Sequence, residues 1–363
     1  MARVHVVGAG PAGSVAAISA LRNNHGVVIS EEHPTAGIPL NCSGLFSCDG
    51  LETLRDLFDY RRTVINPIYG ADIYFGEHRL SVSRDAPVGM VCDRSAFDRR
   101  LAEVAEQEGA EIRYGERVES SFCSEIVIGA DGPSSSVARN FGFPRIPAYA
   151  CTLHAMAEYH SEDHHRVEVY ISNSRFPGFF AWVIPHDEYT AELGVGVAAP
   201  NSVSRAWENL LSLKKVKPME KPKGHAIPIS MRRSSSAGRG KRKVLLVGDA
   251  AGQVKATTGG GVVFGSNCAR IAGCYADSPG RYELEWRLRF GADLYAHHLV
   301  RSYLAGLDDN AVADLGKRLK KLNCDVFLSD YGHMDRPIQM IRPEMVIHLL
   351  KNIAGVAFDA RQG

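Results

Sequence analysis

The strongest constraint in this chain lies at its beginning. Arg3–Val7 (RVHVV) is a β-branched run, and the glycine cluster Gly8-Ala-Gly10-Pro-Ala-Gly13 follows it directly. A helix-compatible stretch, SVAAISALRNN, comes next, and residues 27–30 (VVIS) make a second strand that ends at Glu31. Strand, tight turn, helix, strand and acidic residue in this order predict a βαβ unit that binds a dinucleotide. Gly8 permits the turn, Gly10 lets a pyrophosphate approach the backbone beside Ala12, and Gly13 permits close helix-to-strand packing. The helix N-terminus presents free N–H groups to the anion. Glu31 lies eighteen residues after Gly13, the place of a carboxylate that accepts from an adenosine 2′-hydroxyl and repels the extra phosphate of NADP. This chemistry leaves FAD and NAD both open.

Later segments extend the pattern. Arg94-Ser-Ala-Phe97 leads into a helix with Leu101, Val104 and Ala105 on one side, followed by the strand Glu111–Tyr114. Two apolar runs each end in a turn of small residues and aspartate: Ile126-Val-Ile-Gly129-Ala-Asp131-Gly132 and Val244-Leu-Leu-Val247-Gly248-Asp249-Ala250-Ala251-Gly252. Between them, HRVEVYI, PGFFAWVIP and YTAELGVGV read as antiparallel sheet, the basic stretch 232–243 as a solvated turn, and the chain from about 262 as mostly helical. The expected fold class is α/β and α+β. A discontinuous Rossmann-like domain is expected from 1–65, 88–148 and 240–280, with an antiparallel-sheet insertion from 66–87 and 149–239 and a helical C-terminal region at 281–363.

Composition excludes several function classes. With 42 Lys+Arg against 41 Asp+Glu, the chain has no broad electrostatic surface for nucleic acid. No apolar run approaches the roughly 18 to 20 residues that span a bilayer, and no secretory signal precedes the first strand, so a cytoplasmic location is expected. The eight cysteines (42, 48, 92, 123, 151, 268, 274 and 324) lack the paired CxxC spacing of a metal site, and no metal is expected.

The glycine-rich opening, Asp131-Gly132 and Gly248-Asp249 together make the chain resemble the two-domain flavoproteins of the aromatic hydroxylase superfamily. The resemblance implies FAD as cofactor. It implies contact of Asp131 and Gly132 with the ADP moiety, and a hydrogen bond from Asp249, in the turn that Gly252 closes, toward the ribityl or pyrophosphate part. Arg94 matches an arginine close to FAD. Gly260 and Gly261, in the Gly259-Gly-Gly261 run, offer open backbone N–H groups to the pyrimidine edge of the flavin.

Within that group the chain is most similar to the geranylgeranyl reductase family, which saturates isoprenoid double bonds. Gly37-Ile-Pro39-Leu-Asn-Cys42-Ser-Gly44 matches its proline–cysteine–glycine pattern beside the flavin. Pro177-Gly-Phe-Phe180-Ala-Trp182-Val-Ile-Pro185 resembles its cavity-lining aromatic segment, with Ile184 where the family more often has an aromatic residue. The second segment also resembles the Trp-x-Ile-Pro element of flavin halogenases. The implied reaction needs a hydride on one alkene carbon and a proton on the other, and a thiol with its ordinary pKa near 8.5 suits Cys42 for donation. Strand alternation places Phe180 and Trp182 on one face, with Phe179 opposite, and Tyr170 is a further cavity residue.

The expected partners are a geranylgeranyl lipid and an electron donor, NAD(P)H or reduced ferredoxin, for a monomer or weak homo-oligomer. Apolar helical faces at 294–307 and 338–358 suit either peripheral membrane contact or domain packing. The alternative is a monooxygenase acting on an apolar aromatic or polyene.

Overall fold

The computed structural model describes residues 2–39 and 42–340. In chain order, β1 (Arg3–Val7), α1 (Pro11–Arg22) and β2 (Gly26–Glu31) come first. They are followed by β3 (Leu45–Ser47), α2 (Cys48–Glu52), β4 (Val64–Ile68), β5 (Gly70–Phe75), β6 (His78–Ser83) and β7 (Gly89–Cys92). Next come α3 (Arg94–Gln107), β8 (Glu111–Tyr114), β9 (Ile126–Gly129), α4 (Ser136–Asn140), β10 (Tyr149–Glu158), β11 (Arg166–Ile171), β12 (Ala181–Pro185) and β13 (Thr190–Ala198). The chain continues through α5 (Val203–Lys214), β14 (Lys223–Pro228), β15 (Ser236–Arg239) and β16 (Arg242–Leu246). Helices then dominate: α6 (Val262–Cys274), α7 (Pro279–Trp286), α8 (Ala292–Ala305), α9 (Asp309–Lys321) and α10 (Cys324–Tyr331).

These elements form two compact units. The first comprises Met1–Val64, Cys92–Tyr149 and Ala226–His298, and the second Ile65–Val91, Ala150–His225 and Leu299–Gly363. The first unit carries a six-stranded sheet of order β15-β16-β9-β1-β2-β8. It is parallel except for β15, with Val4 paired to both Val27 and Ile126, and Val127 to Val244. Val4, Val6, Val28, Ile29, Val127 and Ile128 are completely buried, which explains why these strands read as continuous apolar runs and not as alternating ones. Helix α1 packs with Ala16, Ala17, Ile18 and Ala20 inside. Gly273 admits α6 against it, since a Cβ there would lie 2.5 Å from the Ala16 carbonyl oxygen.

The second unit is built on a seven-stranded sheet, β14-β10-β13-β12-β11-β5-β6, in which β10, β13, β12 and β11 pair antiparallel in turn, β11 and β5 pair in parallel, and β5 and β6 pair antiparallel. One face is apolar. Ala155, Ala157, Ala181, Val183, Leu193, Val195 and Val197 pack there with Trp207 and Leu210 of α5. Phe75 and Leu80 meet Val312 of α9, and Gly316 gives the room that Phe75 needs.

Two expectations need correction. The stretch 232–243 is no solvated turn: β15 and β16 form a hairpin in the six-stranded sheet, so residues assigned above to the insertion belong to the first unit. Arg232, only 5% exposed, donates to the carbonyls of Ala250 and Pro144. The apolar face expected at 294–307 is divided, with Leu294 buried and Tyr295, Leu299, Val300 and Tyr303 exposed. Most of the second such face, 341–358, lies outside the described residues. No helix among the described residues is long and apolar enough to cross a membrane.

Candidate functional site

In the first unit, β16, β9, β1 and β2 are consecutive parallel neighbours, so their C-terminal ends emerge in a row. That row carries Asp249, Asp131, the Gly8–Gly13 turn and Glu31. Four strands spaced by about 4.8 Å span about 14 Å, a length suited to an extended ligand laid across the strand ends.

The three glycines of the first turn answer to three different demands. Gly8 has φ of +98°, and a Cβ there would lie 2.5 Å from the Ala130 carbonyl oxygen. A Cβ on Gly13 would collide with the carbonyl oxygen of Gly8. At Gly10 no atom beyond its chain neighbours lies within 4 Å of the Cβ position, so the space before α1 is open. Gly10 is the N-cap of α1 and supplies no side-chain cap, which leaves the N–H groups of the first turn available for an anion. Ala12, half-buried beside them, sits 3.0 Å from the Cβ position of Gly248 and so ties this turn to the end of β16.

The carboxylates are held in place. Glu31, 7% exposed, accepts from the Ala9 N–H at 2.7 Å with one oxygen. Its other oxygen accepts from the His33 N–H at 3.0 Å and faces His33 Nδ1 at 2.7 Å. An ionised carboxylate has about four lone-pair sites, so capacity remains for one hydroxyl. Asp131 accepts from Ser136 Oγ (2.9 Å) and the Val137 N–H (3.0 Å) with Oδ2. Its buried Oδ1 has no partner, an orphan acceptor on the same row. Gly132, at φ +73°, leaves open space next to it. Open glycine, uncapped helix start and orphan acceptor together fit a dinucleotide.

Arg94, Asp98, Cys42 and Asp249 form a charged cluster in the same unit. Asp93 caps α3 through the Ala96 N–H, and Arg94 then reaches Asp98 one turn on with a bidentate fork of 3.0 and 2.9 Å. Its guanidinium lies 5.7 Å from the Phe46 ring centre. Burial opposes the Arg94 charge, but Asp98 and a hydrogen bond with Cys42 more than offset it and hold the pKa above its ordinary value. Arginine only donates, so in this contact the Cys42 sulfur is the acceptor. Gly44, at φ +73°, packs under the Cys92 carbonyl and the Arg94 stem. Burial pushes Asp249 up to about 6, against the pull of Arg94. Gly261 passes close to it, its Cβ position 2.9 Å from Asp249 Oδ1, while the Gly260 position is filled by the Lys255 side chain. Gly252 faces elsewhere: it closes the Gly248–Ala251 turn at φ +71° and packs on the Ser230 carbonyl.

All eight cysteines are unbridged, Cys42 and Cys48 included. Burial, Asp49 and Glu52 push the Cys48 thiol up to about 11, which leaves it inert as an acid near neutrality. Among the described residues no group of three or more His, Cys, Asp or Glu is arranged to hold a metal.

Asp249 carries a pH prediction for the cofactor-free chain. Its pKa is about 6 in the fold against an ordinary 3.8, so between those values the folded chain binds the extra proton and stability falls as pH rises. Asp249→Asn is expected to stabilise at pH 7.5 by on the order of 2–3 kcal/mol, and the gain should shrink toward pH 4. Thermal melts at both pH values check this; an equal gain at each would refute it.

In the second unit, Phe180 and Trp182 stand on the sheet face opposite α5, with ring centres 5.5 Å apart. Gly194 and Gly196 of β13 make room for aromatic rings there: a side chain on Gly194 would strike Trp182, and one on Gly196 would strike Phe179. Phe179 therefore shares this face, stacked on Phe180 at 4.4 Å, contrary to simple alternation. It precedes β12 in the turn through Gly178 (φ +73°), where strand periodicity does not apply. Tyr170 does not join them. It pairs with Ala181, packs on the α5 side, stacks on Tyr74 at 4.7 Å and bonds Glu168 and Lys214.

Sequence reading missed two residues on the aromatic face. Trp182 Nε1 donates to Glu192 Oε1 at 3.2 Å, and Glu192 Oε2 lies 3.1 Å from His154 Nδ1. Polar residues at alternate positions of LHAM and ELGV carried the signal, but pairing them requires the β10–β13 register.

Comparison with known proteins bears out the resemblance read from the sequence. No family model matches the chain. Digeranylgeranylglycerophospholipid reductase 2 of Methanothermobacter thermautotrophicus is 28% identical over 395 residues, covering 93% of this chain and 99% of that protein. The digeranylgeranylglycerophospholipid reductase of Methanothrix thermoacetophila is likewise 28% identical, over 95% of this chain and 98% of its own. Among solved structures, a geranylgeranyl bacteriochlorophyll reductase-like protein from Thermoplasma acidophilum superposes with a TM-score of 0.79 at 21% identity, covering 97% and 96% of the two chains.

Proposed function

We propose that the chain is an FAD-dependent oxidoreductase that saturates carbon–carbon double bonds of geranylgeranyl chains in ether-lipid precursors. The observation that carries this reading is the Cys42–Arg94–Asp98 cluster in the unit that holds the dinucleotide cradle, in a chain similar to such reductases over nine-tenths of its length. Glu31 would hold the adenosine ribose, the α1 N-terminus the diphosphate, and Asp249 the ribityl part. A bound reduced flavin would supply hydride. An isolated alkene has no carbonyl to stabilise developing charge, so the protein must align the bond and place a proton source near it. Cys42 serves that purpose, with its sulfur held by Arg94 in the unit that carries the cradle. Phe180 and Trp182 supply apolar surface, each buried CH₂ contributing about 0.8 kcal/mol.

The test is anaerobic incubation of the flavin-loaded chain with a digeranylgeranyl glycerolipid, with dithionite, NAD(P)H and reduced ferredoxin as parallel donors and product mass as the readout. Gain of H₂ per double bond is expected. Cys42→Ala should keep the flavin spectrum and lose at least about a hundredfold in turnover, the contribution typical of a positioned acid. Absence of saturated product with every donor would overturn the assignment, and oxygen incorporation under air would favour a monooxygenase. Full turnover by Cys42→Ala would remove the thiol from the mechanism.

A further inference from the structure

On the aromatic face of the seven-stranded sheet, His154 and Glu192 are each only 5% exposed. Glu192 has both oxygens engaged, one by the Trp182 indole and one by His154 Nδ1. Indole N–H only donates, so Glu192 Oε1 accepts from it, and where Oε2 also accepts, the imidazole proton that closes the second contact sits on Nδ1. His154 Nε2 is then a bare lone pair, and it is buried with no hydrogen-bond partner. Leaving such an atom unpaired is costly, and its absence of a protein partner calls for a ligand atom. The chemistry of that atom follows from the tautomer: it must be a donor. His186, on the same face two residues beyond Ile184, is a second buried imidazole whose Nε2 lacks a partner, and burial lowers its pKa, favouring another neutral ring. Gly194, the pairing partner of both His154 and Trp182, gives the Trp182 indole the room to lie over β13 on this face.

We propose that His154, oriented by Glu192, is a specificity residue that accepts a hydrogen bond from a hydroxyl at the polar end of a prenyl lipid, while Phe180 and Trp182 contact the hydrocarbon. This rests on the prenyl-lipid reading above and deepens it, since a bare hydrocarbon would leave Nε2 unpaired.

The experiment is equilibrium binding to the oxidised holoprotein, followed by tryptophan fluorescence. The probes are di-O-geranylgeranylglycerol, which has one free hydroxyl, and its O-methyl ether, which has none. Wild type should prefer the alcohol by about tenfold or more, the range expected for a buried acceptor left unpaired. His154→Leu should bring the ratio close to one with the ether bound about as well as before. Glu192→Gln provides a second variant with the imidazole retained: its amide donates to Nδ1, moves the ring proton to Nε2 and should also flatten the ratio. Equal binding of both lipids by wild type, as expected if water alone fills the position, overturns the proposal and leaves the prenyl-lipid reading standing. A preference for the alcohol that survives in both variants also overturns it. Failure of either lipid to bind would overturn the reading itself and the proposal with it.

Discussion

Gly13→Ala is expected to destabilise the cofactor-free chain by about 3 kcal/mol, whereas Gly10→Ala should leave its melting temperature essentially unchanged. The two residues belong to one motif, but their surroundings differ. At position 13 the new methyl would run into the Gly8 carbonyl, a backbone atom fixed in the turn that begins α1. Relief requires moving α1 off β1, with the buried Val15, Ala16 and Ile18 behind it. At position 10 the methyl enters open space, and φ of −66° suits any residue. The same methyl would occupy the approach to the uncapped N–H groups, so Gly10→Ala should weaken FAD by about tenfold or more, roughly one lost charge-assisted hydrogen bond. Thermal melts of stripped protein and titration with FAD separate the two effects. A folded Gly13→Ala with normal stability, or a Gly10→Ala that binds FAD as wild type does, would contradict this division.

Asp98→Ala should destabilise by about 3–5 kcal/mol, because it removes the bidentate carboxylate and strands the Arg94 guanidinium inside the first unit beside the Cys42 sulfur and the Phe46 ring. The double variant Arg94→Met with Asp98→Leu should recover most of that loss, since an apolar pair needs no compensation for lost hydration. It should not recover turnover, because Cys42 would lose the donor that fixes its sulfur. Denaturant unfolding of the three proteins, read with the anaerobic product assay, provides the check. If the double variant is as unstable as Asp98→Ala, packing and not charge is the reason.

Local chemistry made the cradle legible. The spacing from Gly8 to Glu31 lies within one βαβ unit, and the two aspartate turns announce themselves as apolar runs that stop at a small residue. The Arg94–Asp98 pair is one helical turn and also readable, but its contact with Cys42 depends on tertiary structure. The aromatic face was only half legible. Alternation relates Phe180 to Trp182 within a strand, yet says nothing about which face of β11 matches them, and the Tyr170–Ala181 register puts that tyrosine on the other side. His154 and Glu192 are separated by 38 positions and meet only through a strand pairing that periodicity cannot predict.

The order of the six-stranded sheet has a consequence for how the chain must be made. Strand β1 lies between β2 and β9, and β9 in turn needs β16, whose first residue is Arg242. A ribosome that has released only the first half of this chain has therefore exposed the phosphate turn with one flank of its sheet unbuilt, while the intervening stretch is committed to another sheet. Such non-local closure is slow. Trapping of nascent chains of increasing length should show FAD protection only after Gly252 has emerged, late in synthesis and nearly all at once.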